Sequence, residues 1–142
     1  MGEARETMDR MTRAFVEQDL DTVVSLYAVD AVILTPDLGE LKGREQIKAY
    51  YQGFKDAFPD ARYELVSGYE AGDVAIDEGF FVGTHTGPLV DPSGQTQPAT
   101  GETVRLRACD IATVEHGQVT SHRFYYDQLE LLTQLGLVEE PE

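Results

Sequence analysis

Apolar and polar residues alternate with period two through residues 104–115 and again through 119–127, and the two runs meet at His116-Gly117. The pattern predicts a β-hairpin closed by a two-residue turn, with glycine supplying the positive φ. A turn of that length sets the register. Glu115 faces Gln118, Val114 faces Val119, Ala112 faces Ser121, Asp110 faces Arg123, Ala108 faces Tyr125 and Leu106 faces Asp127. Val104, Leu106, Ala108, Ala112 and Val114 make this the core-facing side, so the charges of Asp110, Arg123 and Asp127 on it require a chemical reason. The opposite side carries Arg105, Arg107, Cys109, Ile111 and Thr113 with Thr120, His122, Phe124 and Tyr126; it reads as a mixed, partly exposed face and a candidate subunit interface.

Upstream the period changes. Met8, Met11, Phe15 and Val16 recur at helical spacing within residues 3–18, predicting an amphipathic helix. A short second helix, capped by Asp21, runs from there to about Ala28, with Val23, Val24, Leu26 and Tyr27 turned mostly inward. Residues 31–35 form a brief strand stopped by Pro36, and a third helix from Arg44 to Ala57 carries Ile47, Tyr50, Tyr51, Phe54 and Phe58 along one stripe before Pro59 ends it. Residues 62–69 and 74–84 alternate as strands joined at Ala71-Gly72-Asp73, a second hairpin. Residues 85–101 are rich in Gly, Pro, Thr and Ser and form either a surface excursion or a flap over a pocket. A last short helix starts at Gln128 and is closed by Gly136. Helices first and long strands afterwards indicate an α+β class.

Composition narrows the range of functions. The chain of 142 residues is expected to form one domain, residues 1–142, with room for a core that needs no disulfide or metal. Its single cysteine, Cys109, lies within a strand, which excludes a disulfide framework and points to a reducing cytoplasm. The 11 basic and 26 acidic side chains give a formal charge of -15, which repels nucleic-acid backbones and anionic membranes. No segment is long enough to span a membrane, and no apolar export signal opens the chain.

Three pieces carry a resemblance: GTHTGPL at residues 83–89, the strand-turn-strand around EHGQVTSHRFYYD, and DQLELLTQLG at 127–136. With them the chain resembles the SnoaL-like polyketide cyclases, within the nuclear-transport-factor-2-like superfamily, over nearly its whole length. The resemblance implies a cone-shaped, strongly curved antiparallel sheet wrapped around a helix, with a deep pocket at the wide end and a short C-terminal helix. It implies ring closure by an intramolecular aldol step, with the aspartate just before the last helix, here Asp127, as acid/base. Two positions depart from the pattern and imply an altered pocket wall: Arg123 stands where tryptophan is usual, and Gly79 where a bulky aromatic is common. Pairing of outer sheet faces is frequent in the superfamily, which implies a homodimer with Arg105, Arg107, His122 and Phe124 near its interface.

The candidate residues admit more than one role. Asp127 followed by Glu130 also fits a capping box, which would lower its pKa, whereas a base in an apolar pocket is held high by desolvation. Asp110 and Arg123 form either a buried ion pair or a fork that holds a substrate carbonyl or carboxylate. Asp110 and Asp127 are not a proton-sharing pair, because Arg123 and Asp127 are separated by roughly 13 Å along a strand. His85 either touches the pocket mouth, as the resemblance implies, or is a turn residue leading into the loop; His116 belongs to the turn and His122 to the outer face, and the three histidines form no metal site. Tyr51 and Tyr125 are the first choices to donate to an oxyanion, and Phe15, Tyr27 and Phe54 are expected in the substrate-binding wall. No phosphate loop, nucleophile elbow or nucleotide fingerprint occurs, consistent with cofactor-free chemistry, and the resemblance implies a small hydrophobic carbonyl substrate. Epoxide hydration, isomerisation, assistance in hydroxylation, or simple ligand binding are the alternatives that the same pocket would serve.

Overall fold

The computed structural model describes residues 2–90 and 94–138. In chain order the elements are α1 (Glu3–Val16), α2 (Leu20–Ser25), β1 (Tyr27–Thr35), β2 (Gly39–Lys42), α3 (Arg44–Ala57), β3 (Arg62–Ala71), β4 (Val74–Thr84), β5 (Leu89–Val90), β6 (Thr96–Gln97), β7 (Thr103–Glu115), β8 (Gln118–Tyr125) and α4 (Gln128–Gln134). This is an α+β fold. A curved six-stranded sheet has the order β2-β1-β8-β7-β4-β3, antiparallel throughout except where β1 runs parallel to β8. Helices α1 and α3 lie on its inner face and bury Met8, Met11, Ile47 and Tyr51 against Ala75, Ala112, Val114 and Ile33. A second apolar cluster joins the end of α3 to α4 through Phe58, Ala61, Val104, Leu106, Leu131 and Leu135. Phe15 packs against both clusters, and the site described below lies between them.

Helix boundaries follow their caps. The α2 cap is Asp19, whose carboxylate accepts from Thr22 N at 3.1 Å, rather than Asp21, so the helix ends early enough for β1 to begin at Tyr27. The first turn of α1 finds its acceptor in β3, where Glu70 takes the backbone N–H groups of Gly2 and Arg5. Arg5 itself turns inward and pairs with Asp77 of β4 at 2.5 Å and with Asp9 at 2.8 Å. Gly68 leaves the space for it, since a Cβ there would stand 2.8 Å from the Arg5 guanidinium.

The hairpin of β7 and β8 departs from the register derived from its turn. The turn is as expected, with His116 and Gly117 at positive φ and Glu115 opposite Gln118. Val114 then pairs with Val119 but Thr113 with Ser121, so Thr120 is an extra residue in β8. One extra residue reverses every side chain beyond it. Asp110 therefore pairs with Phe124, Ala112 with His122 and Ile111 with Arg123. The expected Asp110–Arg123 pair does not form.

The described residues of 85–101 are anchored to the fold. Gly87 N donates to Ala57 O at 3.1 Å, so close to the end of α3 that a Cβ would collide with the Asp56 carbonyl. Leu89 packs on the second cluster, and none of the described residues of this segment lines the cavity.

Candidate active site

Between α1, α3 and the inner face of β4, β7 and β8 lies a cavity in which the centres of water-sized spheres occupy about 120 Å³. Its walls are mostly apolar. Met8, Met11 and Phe15 come from α1, Tyr50, Tyr51 and Phe54 from α3, Phe81 from β4, Leu106 and Ala108 from β7, and Phe124 from β8. Alternation brings Asp110 of β7 and His122 of β8 to the same wall, and Tyr63 and Tyr126 complete it.

From this wall to the layer behind it, four polar groups form one row. Asp110 Oδ2 lies 2.6 Å from His122 Nε2, His122 Nδ1 lies 2.6 Å from the Tyr27 hydroxyl, and that hydroxyl lies 2.7 Å from the hydroxyl of Tyr51. With Asp110 ionised, the imidazole donates from Nε2 to the carboxylate and accepts at Nδ1 from Tyr27. Burial holds both phenols above their usual range, with the neighbouring Tyr51 adding to the effect at Tyr27, so they remain protonated donors. His122 is almost wholly buried, whereas the Asp110 side chain keeps 13% of its surface open. A carboxylate held on one oxygen by an imidazole, and open to an apolar cavity on its other side, is equipped to exchange a proton with a bound carbon acid.

A second polar group sits elsewhere in the cavity wall. The hydroxyls of Tyr50 and Tyr126 are 3.3 Å apart, and Tyr50 donates to Asp37 of the β1–β2 turn at 3.4 Å. Burial raises the pKa of both phenols, so they too present neutral hydroxyls.

The expected site residues divide into two sets. Asp110, Tyr51, Phe15 and Phe54 line the cavity, and Tyr27 stands directly behind it in the row. Asp127 does not line it. It is the exposed N-cap of α4 and accepts from Leu129 N at 2.9 Å and Glu130 N at 3.2 Å. Arg123 turns to the other face, where it donates to Ser121 Oγ at 3.2 Å, and Tyr125 is 53% exposed there. Arg123, expected to alter the pocket wall, therefore does not line the cavity. His85 is fully buried away from the cavity, against Phe58, with Nδ1 bonded to Thr100 Oγ1 at 2.9 Å; burial lowers its pKa. At Gly79 the missing side chain is replaced from the adjacent strand. A Cβ there would strike the Glu64 carbonyl and stand 3.0 Å from the Tyr63 ring, and Tyr63 crosses over the glycine to donate to Ala108 O at 2.9 Å.

The turn-derived register missed His122, Phe124 and Tyr126 and assigned the first two to an interface. Their own pattern is the signal that finds them: His122, Phe124 and Tyr126 make a more apolar stripe than Arg123, Tyr125 and Asp127. Weighted above the turn, it places that stripe inward and demands a bulge.

Comparison with solved structures supports the same architecture. A SnoaL-like polyketide cyclase candidate from Jannaschia sp. CCS1 superposes with a TM-score of 0.82 at 19% identity, covering 96% of this chain and 94% of that one. The candidate hydroxylase AclR from Streptomyces galilaeus gives 0.80 at 22% identity, covering 96% and 98%. The candidate polyketide cyclase IdmH from Streptomyces antibioticus gives 0.77 at 25% identity, covering 95% and 99%. No curated protein matches the chain. The sequence profile of the SnoaL-like polyketide cyclases matches residues 5–135, spanning the helices, the sheet and the cavity between them, and the chain belongs to that family.

Proposed function

We propose that this chain is a cofactor-independent acid/base enzyme that closes a ring in a hydrophobic, polyketide-like carbonyl compound by intramolecular aldol condensation, with Asp110 rather than Asp127 exchanging the proton. The observation that carries this reading is the Asp110–His122 pair, 2.6 Å apart in the wall of an otherwise apolar cavity. Asp110 takes a proton from a carbon next to a carbonyl. The C–H electron pair becomes the C=C bond of the enolate, and the carbonyl π pair moves to oxygen, where Tyr51 is placed to donate. The enolate carbon attacks a second carbonyl of the same molecule, and the alkoxide formed takes the proton back from Asp110. His122 holds the carboxylate by its second oxygen, and the aromatic walls orient the chain that folds on itself.

Proton abstraction can be tested without the natural substrate. A naphthyl β-keto ester in deuterated buffer should lose its α-hydrogen signal faster with the protein than without it. Asp110→Asn should lower that acceleration about 100-fold or more, the usual contribution of a positioned base. Exchange at the wild-type rate in this variant would sink the assignment.

The outer face of the sheet supports a second part of the reading, assembly as a homodimer. Val66 and Tyr125, 60% and 53% exposed, flank Phe80, Arg107 and Cys109 in a shallow depression, and Arg105 covers the Phe80 ring at 3.6 Å. Light scattering should give twice the chain mass for the wild type and the single-chain mass for Val66→Lys; a wild-type monomer would contradict it.

A further inference from the structure

Tyr27 contributes no surface to the cavity, yet it is the third of the four members of the row that runs from the carboxylate through His122 to the Tyr51 hydroxyl. It is 0% exposed and its hydroxyl meets two partners at hydrogen-bond distance, His122 Nδ1 and Tyr51. Its backbone is also held. The Arg44 guanidinium at the start of α3 donates to Tyr27 O from Nε at 2.9 Å and from a terminal nitrogen at 2.7 Å, where the β1–β8 ladder is interrupted between Tyr27 and Val32. Such anchoring sets the position of one phenol from both ends.

From this geometry we infer that Tyr27 is a positioning residue that holds the His122 imidazole in the Nε2–H form together with Asp110 and parks the proton of Tyr51. The inference rests on the acid/base reading of Asp110. A phenol kept protonated has one hydrogen to give. By giving it to Nδ1, Tyr27 leaves the hydrogen of neutral His122 on Nε2, directed at Asp110, and presents its own lone pairs to the Tyr51 hydroxyl. In the empty cavity Tyr51 therefore donates to Tyr27. When negative charge forms on a bound carbonyl oxygen, the same hydroxyl turns toward it by rotation about one bond, and the remainder of the row stays as it was. The donor for the oxyanion is thus pre-placed, and neither polar end is left unpaired before the substrate arrives.

Two readouts test this. Long-range nitrogen–proton NMR correlations of the wild-type protein should show neutral His122 with its hydrogen on Nε2; the opposite tautomer overturns the inference without any variant. In Tyr27→Phe the Asp110 carboxylate still holds the Nε2–H form, but the Nδ1 signal should lose the shift of a hydrogen-bonded acceptor, and deuterium exchange into the naphthyl β-keto ester should lose about tenfold or more in kcat with KM within about twofold, the signature of an interaction made in the transition state. A Tyr27→Phe protein with an unchanged Nδ1 signal and unchanged kcat would overturn the inference. Asp110→Asn, measured alongside, separates the two levels. If it exchanges like wild type, the acid/base reading fails; if it is inactive while Tyr27→Phe is unaffected, only the role of Tyr27 falls.

Discussion

A carboxylate on the inner face of a sheet is tolerable only with a partner, and Asp77 and Asp110 lie directly opposite each other there. The two are satisfied differently. Asp77, 1% exposed, is matched by the full charge of Arg5, although burial and the nearby Asp110 still raise its pKa against the pull of that partner. Asp110 is matched by an imidazole and keeps access to the cavity. The first pair is closed, and the second is the one to which the proposed proton exchange is assigned. Arg5→Ala would leave Asp77 buried and unpaired, and urea denaturation should show a loss of about 3–5 kcal/mol. Arg5→Met combined with Asp77→Leu should recover most of it, because the desolvation penalty disappears with the charges. Equal losses in both variants would mean that Arg5 acts by packing alone.

At the scale of elements, the decisive feature is a single unpaired residue, Thr120. Its insertion in β8 makes His122, Phe124 and Tyr126 inward-facing and sends Arg123 and Tyr125 out. Deleting Thr120 should restore simple alternation from the turn. The His122 imidazole would then leave the row, and the His122 NMR signals should take on the exchange with solvent of an exposed ring. Retention of the buried signals would show that the strand re-forms its bulge elsewhere. The same residue marks the limit of what could be read from the chain. The helical stripe of Ile47, Tyr51 and Phe54, the second hairpin, whose first strand runs two residues past the expected Tyr69 to Ala71, and the inward face of β7 were legible from hydrophobic period. The inward face of β8 was not, because turn length and side-chain pattern disagreed there and the turn was followed. Asp127 shows the complementary limit: a cap and a base share one sequence pattern, and only the position of α4 relative to the cavity separates them.

For the whole molecule, the curved sheet and two helices enclose an apolar cavity whose polar groups are concentrated in two places, the Asp110 row and the hydroxyl pair of Tyr50 and Tyr126. The chain belongs to the SnoaL-like polyketide cyclase family, and Asp110 is the carboxylate among the described residues that line its cavity. Asparagine is as good an N-cap as aspartate, so Asp127→Asn should preserve both the helix and the site, and Asp127→Ala should cost only about 1 kcal/mol of stability. The most direct measurement is therefore deuterium exchange into the naphthyl β-keto ester by Asp110→Asn and Asp127→Asn side by side. A loss of about 100-fold in the first, with the second at the wild-type rate, is what this account predicts. Loss in Asp127→Asn with activity retained in Asp110→Asn would contradict it and return the chemistry to the end of β8.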